Sequence, residues 1–329
     1  MDIRAIFRKN LLSLGELARD QDLEGIWVPD DLAADEVDAC IHSLFREQAR
    51  EYVRAYQATD HFENLLRRAF DKAGFRRFDE PLRILDICSG AGNSVIPLLK
   101  IFPQAEVIAS DLSVELLAML KHLLLSQGTA ARCTLVQMNA ERLDLQDGAV
   151  DLVVGVAALH HLFRPDLTIA SCGRILREGG LAVFFEPFEL GFIYMKFLYQ
   201  QILADPRAKK IDPPVRKFLG DLLVDIHRRL GEDKSDPLYK QVDDKWFFTT
   251  HYFREHGRRH GFKNCTTYSL LSGNRDFEEK MEVLLRLGLD RKPDALPEWA
   301  WELARAHDRC LSPSGHLDCI YDGGVLLQK

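Results

Sequence analysis

The residues best equipped to do chemistry lie in one stretch, Leu85-Asp86-Ile87-Cys88-Ser89-Gly90-Ala91-Gly92-Asn93. A short apolar run feeds small residues and then a helical pattern. Gly90 and Gly92 have no Cβ, so a ligand can approach the backbone closely, and the helix N-terminus beyond offers free N–H groups to an anionic group. A plain βα turn would read the same way, because Gly-x-Gly is a short match. Asp111 stands about 20 residues on, at the end of the next apolar run, where a carboxylate can accept both hydroxyls of a ribose. Two ligands compete for this pattern. A dinucleotide needs a small residue three positions after Gly92, where Val95 stands, and its pyrophosphate would be repelled by Asp86. An acid at position 86 suits a ligand with a cationic end, such as the amino group of a methionine moiety.

Further along, His160 and His161 follow a fourth apolar run. Histidine titrates near neutrality, so either is a candidate base, and either could simply line a loop. Glu186 closes a fifth run, where it could take a substrate proton, orient a hydroxyl or hold loop backbone. Tyr52 and Tyr56 share one helical face and could reach a ligand or pack the helix. His256 and His260 have metal-type spacing, but Arg254, Arg258 and Arg259 surround them, so a solvated basic face is the reading and no metal is expected. Aromatic stretches at 184–199 and 246–253 could line an apolar pocket, form core, or do both.

The elements that must position these residues follow from periodicity. Phe62, Leu65, Leu66, Ala69, Phe70 and Ala73 mark one helical face, with Gly74 as its stop. Gly25 to Asp31, with Pro29, reads as a linker. From 82 to 186, strands at Leu82–Ile87, Glu106–Ser110, Cys133–Met138, Val150–Val156 and Leu181–Phe185 alternate with helices, one of which Gly179-Gly180 ends. Continuous apolar strands imply a parallel sheet covered on both faces. From 188 to about 245 the pattern is mostly helical, and strands at Asn264–Leu271 and Cys319–Leu327 complete the sheet from the far end of the chain.

Composition removes several classes. The 329 residues suit an α/β domain with large additions, and 47% apolar content supplies a full core. With 43 basic and 50 acidic residues the net charge is −7, which disfavours a protein built to grip nucleic acid. No apolar run reaches a membrane span, and the N-terminus lacks a signal-peptide pattern. Seven widely spaced cysteines without a CxxC pair point to a reducing, cytoplasmic setting.

In order and spacing, these motifs resemble the class I S-adenosylmethionine-dependent methyltransferases, in particular those acting on small molecules of natural-product or quinone type. The family's acid-and-glycine motif matches Asp86, Gly90 and Gly92, with Ser89 and Asn93 beside them and Cys88 where a first glycine is usual. The ribose acid matches Asp111, followed by Leu112. The adenine-contacting pair falls on Asn139-Ala140, where the Asn139 side-chain oxygen can meet the adenine amino group. Asp147 to Val153 resembles the family's DGxFDxV stretch, Ala157 to Leu162 its post-strand segment, and Leu176-Arg177-Glu178-Gly179-Gly180 its L+PGG turn, with Glu for Pro. Residues 80–190 carry the likeness.

The resemblance implies an α/β fold with a Rossmann-like seven-stranded sheet whose last strand is antiparallel. Residues 1–80 would be a helical N-terminal lid region, 81–190 the cofactor-binding core, 191–249 a mostly helical insertion over the substrate, and 250–329 the rest of the core with a helical insertion. It implies S-adenosyl-L-methionine as cofactor and S-adenosyl-L-homocysteine as product. The implied cofactor contacts are Asp86, Cys88, Ser89, Gly90, Gly92, Asn93, Asp111, Leu112, Asn139, Ala140, Ala157 and Tyr56. His161, His160 and Glu186 are the catalytic candidates. The expected reaction is in-line methyl transfer to a small apolar or aromatic metabolite. An RNA or protein methyltransferase, using Arg207, Lys209, Lys210, Arg228, Arg229, Arg254, Arg258 and Arg259 as a basic surface, is one alternative. A cofactor-binding protein of the same fold that does not methylate is another. No membrane partner is expected, and a homodimer is left open.

Overall fold

The computed structural model describes residues 3–32, 60–231, 233–271, 273–289 and 295–329. Nine strands form one mixed sheet. In chain order they are β1 (Leu11–Ser13), β2 (Ile26–Pro29), β3 (Arg83–Ile87), β4 (Glu106–Asp111), β5 (Cys133–Gln137), β6 (Val150–Val156), β7 (Leu176–Pro187), β8 (Asn264–Ser269) and β9 (Asp322–Gln328). Their spatial order is β1-β2-β5-β4-β3-β6-β7-β9-β8. The run from β2 to β7 is parallel, and β9 enters antiparallel between β7 and β8. The seven strands from β5 to β8, with an antiparallel last strand, are those expected from the sequence.

Two further strands extend the sheet. The stretch read as a linker is β2, pairing Ile26 and Trp27 with Leu135 and Val136 of β5. Pro29 suggested a break, but proline is tolerated at the end of a strand, where no further ladder bond is needed. A second difference lies at Gly179-Gly180. The helix before it ends at Ile175, and β7 already begins at Leu176. The two glycines sit inside β7, where the register against β6 jumps from Val150–Leu176 to Leu152–Leu181. Gly179 takes φ +75° there, and Lys329 at the chain end bonds to both glycines.

After the short α1 (Leu14–Ala18), helices cover both faces. Ile84, Val107 and Leu135 pack with α2 (His61–Lys72), α3 (Val95–Ile101) and α4 (Val114–Ser126), while Leu85, Ile87, Ile108 and Val153 pack against α5 (Pro165–Ile175) and α8 (Thr250–Arg259). Phe70, Phe75, Phe78 and Phe102 close one end as an edge-to-face and stacked cluster. Such ring pairs add about 0.5–1.5 kcal/mol each beyond simple burial. A third core, around Met195, Tyr199, Val215, Phe277 and Trp301, joins α6 (Glu189–Ala204), α7 (Pro213–Arg229), α9 (Asp276–Leu289) and α10 (Glu298–Cys310). No helix among the described residues is long and apolar enough to cross a membrane.

Candidate active site

At the carboxyl end of β3 the chain makes a turn with three left-handed residues, Cys88 at φ +50°, Gly90 at +53° and Gly92 at +103°. Gly92 is required twice over, since a Cβ there would also meet the Leu120 Cδ1 atom at 2.6 Å. A Cβ at Gly90 would point into open space. Cys88 holds its unfavourable conformation because neighbours fix the turn. Ser89 donates its N–H to the Ser110 carbonyl (2.9 Å), and the Ser89 and Ser110 hydroxyls both donate to the Asp86 carbonyl. The conformation of the missing first glycine is therefore kept by a cysteine under backbone strain.

The two acids sit at either end of this turn's ligand-facing surface. Asp86 is fully buried, and its Oδ2 accepts the Ser94 hydroxyl at 2.8 Å. Burial pushes its carboxyl up to about 7. Its Oδ1 has no hydrogen-bond partner, and neither has the buried Oδ1 of Asn93, on the other side of the glycines. Two buried acceptors without donors are costly unless a ligand satisfies them. Asp111 accepts the Gly90 N–H (2.8 Å) with one oxygen and the Ser113 N–H (2.8 Å) with the other. Burial raises its carboxyl too, against the pull of those backbone bonds. An ionised carboxylate has about four acceptor sites, so two remain for hydroxyl donors. Ser113 also caps α4 by accepting the Leu116 N–H, which ties the acid to a helix start.

The histidines follow β6, after Ala157 at φ +53°. Glu186, at the end of the neighbouring β7, accepts the backbone N–H groups of Ala158, Leu159 and His160 and faces His160 Nδ1 at 2.6 Å. The other His160 nitrogen, Nε2, lies 3.4 Å from Asp244 Oδ1. Burial alone would lower the His160 pKa, but the two carboxylates outweigh it and hold the ring up at about 9. His161 behaves oppositely. Its Nδ1 faces the Asp243 carbonyl at 3.1 Å, and burial together with the neighbouring His160 charge pushes it down to about 3. Asp244 is held well below the usual carboxylate range, because His160, Arg229 and His161 override its burial. Arg229 lies 2.9 Å from the other oxygen of Asp244. Glu186 thus makes the loop-holding contacts, and His160 sits as a cation between two acids.

The remaining candidates are placed as follows. Leu112 offers its carbonyl to the Gln137 side chain, and Ala140 is buried with its carbonyl accepting Thr168. Asn139 uses its side-chain oxygen to accept the Glu141 N–H at 2.9 Å. Tyr52 and Tyr56 lie outside the described residues. His256 and His260 stack with ring centroids 6.5 Å apart on α8. The aromatic stretches after β7 are mainly core: Phe184, Phe188, Tyr199, Phe248 and Phe253 are all buried, although Phe197 is half exposed. A cavity of about 620 Å³ shares Phe163 and Trp246 with the segments carrying the histidines and Asp244, and is further lined by Lys234 and Tyr252. Asp244 was missed from sequence, where its only signal was an acidic pair at 243–244, ordinary on a polar surface. Arg229 was read as part of a basic surface, but it is buried and pairs with Asp244.

With this geometry in view, comparison with known proteins gives one consistent class. Residues 84–180 match the family model of a methyltransferase domain. These residues thus carry a methyltransferase domain, set on the Rossmann-like sheet described above. Among individual relatives, a malonyl-(acyl-carrier protein) O-methyltransferase of Methylococcus capsulatus is 36% identical over 113 residues, 34% of this chain and 40% of that protein. A ubiquinone/menaquinone biosynthesis C-methyltransferase of Stutzerimonas stutzeri is 33% identical over 99 residues, 30% of this chain and 39% of that protein. The chain thus spans about two fifths of the length of these curated relatives. A crystal structure assigned as a sarcosine dimethylglycine methyltransferase from Galdieria sulphuraria superposes with a TM-score of 0.52 at 13% identity, covering 86% of this chain and 98% of that one. At that identity the likeness establishes the shared fold.

Proposed function

We propose that the protein transfers a methyl group from S-adenosyl-L-methionine to a small metabolite, with S-adenosyl-L-homocysteine as the product. The observation that carries this reading is the pair of unpartnered buried acceptors, Asp86 Oδ1 and Asn93 Oδ1, flanking a glycine turn that leaves open space at Gly90. An ammonium group is a fitting donor for such acceptors, whereas a pyrophosphate would add like charge beside Asp86. Asp111 takes the ribose hydroxyls with its two remaining acceptor sites. The curated relatives are named as an O-methyltransferase and a C-methyltransferase, and they support small-molecule chemistry without giving the acceptor atom.

When bound, the cofactor supplies an electrophilic methyl on a sulfonium, so the chain's residues mainly bind, orient and exclude water. The Glu186–His160 pair fixes the loop after β6 through three backbone N–H bonds, and this loop sets the far wall of the site. His161, kept neutral, can hydrogen-bond the acceptor group without adding charge. Phe163, Trp246 and Tyr252 stand in a pocket otherwise lined by polar and charged side chains, among them Arg164, Asp166, Lys234 and Glu255, which supports an aromatic substrate that also carries polar groups. Of the eight basic residues considered for nucleic acid, four are committed within the protein: Arg207 pairs with Asp205, Arg228 with Asp225 and Arg259 with Glu255, and Arg229 is buried against Asp244. That weakens, for half of the set, the reading of a surface built for a phosphate backbone.

Calorimetry with S-adenosyl-L-homocysteine tests the reading. The wild-type protein is expected to bind, and Asp111→Ala to lose at least about tenfold in affinity, because two charge-assisted hydrogen bonds go. Equal affinity in the two proteins would defeat the proposal. Release of S-adenosyl-L-homocysteine with a panel of small aromatic and hydroxylated acceptors then identifies the substrate class.

A further inference from the structure

The contacts around Asp244 have unusual lengths for hydrogen bonds. His160 Nε2 and His161 Nδ1 each stand 3.4 Å from the same oxygen, Asp244 Oδ1. A charge-assisted N–H···O bond contracts to about 2.7–2.9 Å, as His160 Nδ1 and Glu186 do at 2.6 Å in the same cluster. By contrast, a tetrahedral cation with ligand distances of about 2.0–2.1 Å needs neighbouring donors about 3.3–3.4 Å apart. The two imidazoles and the carboxylate offer ligand atoms that all lie within 4.8 Å of one another.

We propose that His160 Nε2, His161 Nδ1 and Asp244 Oδ1 form a three-ligand site for a divalent transition-metal cation such as zinc, with a fourth position open to an oxygen of water or substrate. Two imidazoles and one carboxylate are a suitable donor set for such an ion, and three protein ligands with one open position mark a catalytic rather than a structural site. The supporting contacts are also in place. Glu186 receives His160 Nδ1, an arrangement that orients a ligating histidine and strengthens it as a donor. Arg229 holds Asp244 Oδ2 at 2.9 Å and leaves Oδ1 turned to the histidines. Arg229 in turn donates to the Trp246 carbonyl at 3.2 Å and stacks over Phe247, so the carboxylate is fixed from behind.

The exchange balances. The cation takes the lone pair of His160 Nε2, and the proton on that nitrogen leaves to solvent. His161 shifts its proton from Nδ1 to Nε2, exchanging its contact with the Asp243 carbonyl for the metal bond. Its role, though not its existence, rests on the methyl-transfer reading. At the open position the ion would lower the pKa of an acceptor hydroxyl, whose proton would leave to solvent, and the resulting alkoxide or phenolate would be the better nucleophile near neutral pH. That favours an oxygen acceptor. The sequence could not show the site, because Asp244 arrives from the helical insertion, far along the chain from the histidine pair.

The test is a titration of chelator-treated protein with zinc and with cobalt, without cofactor or substrate. Wild type is expected to bind one equivalent and to show the intense visible absorption of tetrahedral cobalt. His161→Asn and Asp244→Asn should each bind at least about 100-fold more weakly and lose that absorption. Calorimetry with S-adenosyl-L-homocysteine reports whether each variant keeps its fold. If Asp244→Asn does not fold, His161→Asn decides. Wild type without stoichiometric binding, or variants that bind as wild type does, would overturn the site. Stoichiometric cobalt binding by a wild-type protein that ignores S-adenosyl-L-homocysteine would uphold the metal site while removing the methyl-transfer reading.

Discussion

At Asp86, burial works against the charge of the side chain. Its carboxyl is raised from 3.8 to about 7 by burial, so the folded state disfavours the ionised form. The penalty enters as pH rises from about 4 through 7 and is complete above that range. Asp86→Asn is therefore expected to raise the melting temperature of ligand-free protein at pH 8, by an amount equivalent to at most about 4 kcal/mol. The same change should weaken cofactor binding, since a neutral amide replaces the partner of a cation. Wild-type affinity should likewise fall as pH drops below 7 and Asp86 takes a proton, which calorimetry at pH 6 and pH 8 would measure. The glycine turn gives a second contrast. Gly92→Ala meets Leu120 at 2.6 Å in a left-handed conformation and should cost about 2 kcal/mol or more in denaturant unfolding. Cys88→Gly should change stability by less than about 1 kcal/mol, because relief of strain offsets the greater freedom of unfolded glycine.

Among the elements, the connection between α7 and α8 does the most to complete the site. It brings Asp244 against the histidine loop, while the Lys245 and Trp246 N–H groups bond to the His160 carbonyl and the Trp246 indole to that of Leu162. Arg229, at the end of α7, anchors this connection from inside the protein. Arg229→Ala should cost about 1–3 kcal/mol, because half-exposed Asp244 keeps His160 but loses its guanidinium partner, and the buried Arg229 packing over Phe247 goes with it. Chemical denaturation measures the loss, and double variants with Asp244→Asn should show that the two losses are far from additive. The strand–helix alternation of residues 82–187 could be read directly, since apolar runs and helical periodicity express burial on fixed faces. β2 could not, because Gly25 before it and Pro29 at its end read as turn signals, and its four residues gain their meaning only from pairing with β5. Strand β7 was read from Leu181 instead of Leu176 for a related reason: Gly179-Gly180 looks like a stop, but Leu176 pairs with Val150 and Lys329 bonds back to both glycines, which holds the segment in the sheet.

Across the whole molecule, stability should depend on pH through the buried His160 cation. Its pKa is raised from 6.5 to about 9, so its contribution is fully present below pH 6.5 and is lost as pH rises through 9. In chelator-treated protein this amounts to on the order of 3 kcal/mol, and melting temperatures at pH 6.5 and 9.5 should show the drop. The two cations beyond the core motifs, His160 and Arg229, therefore knit the β6 loop, β7 and the helical insertion into one unit. By itself the sequence determined the parallel sheet, the turn after β3, the acids at its two ends and the histidine pair after β6, because each is written in a short window where spacing reflects local geometry. Only the tertiary structure decided that Glu186 holds the loop backbone, that His160 is a clamped cation while His161 stays neutral, and that Asp244 and Arg229 belong to the same cluster. Those outcomes depend on charges and donors that meet through space from segments distant in the chain, and burial, which sets the strength of each interaction, has no signature in residue order.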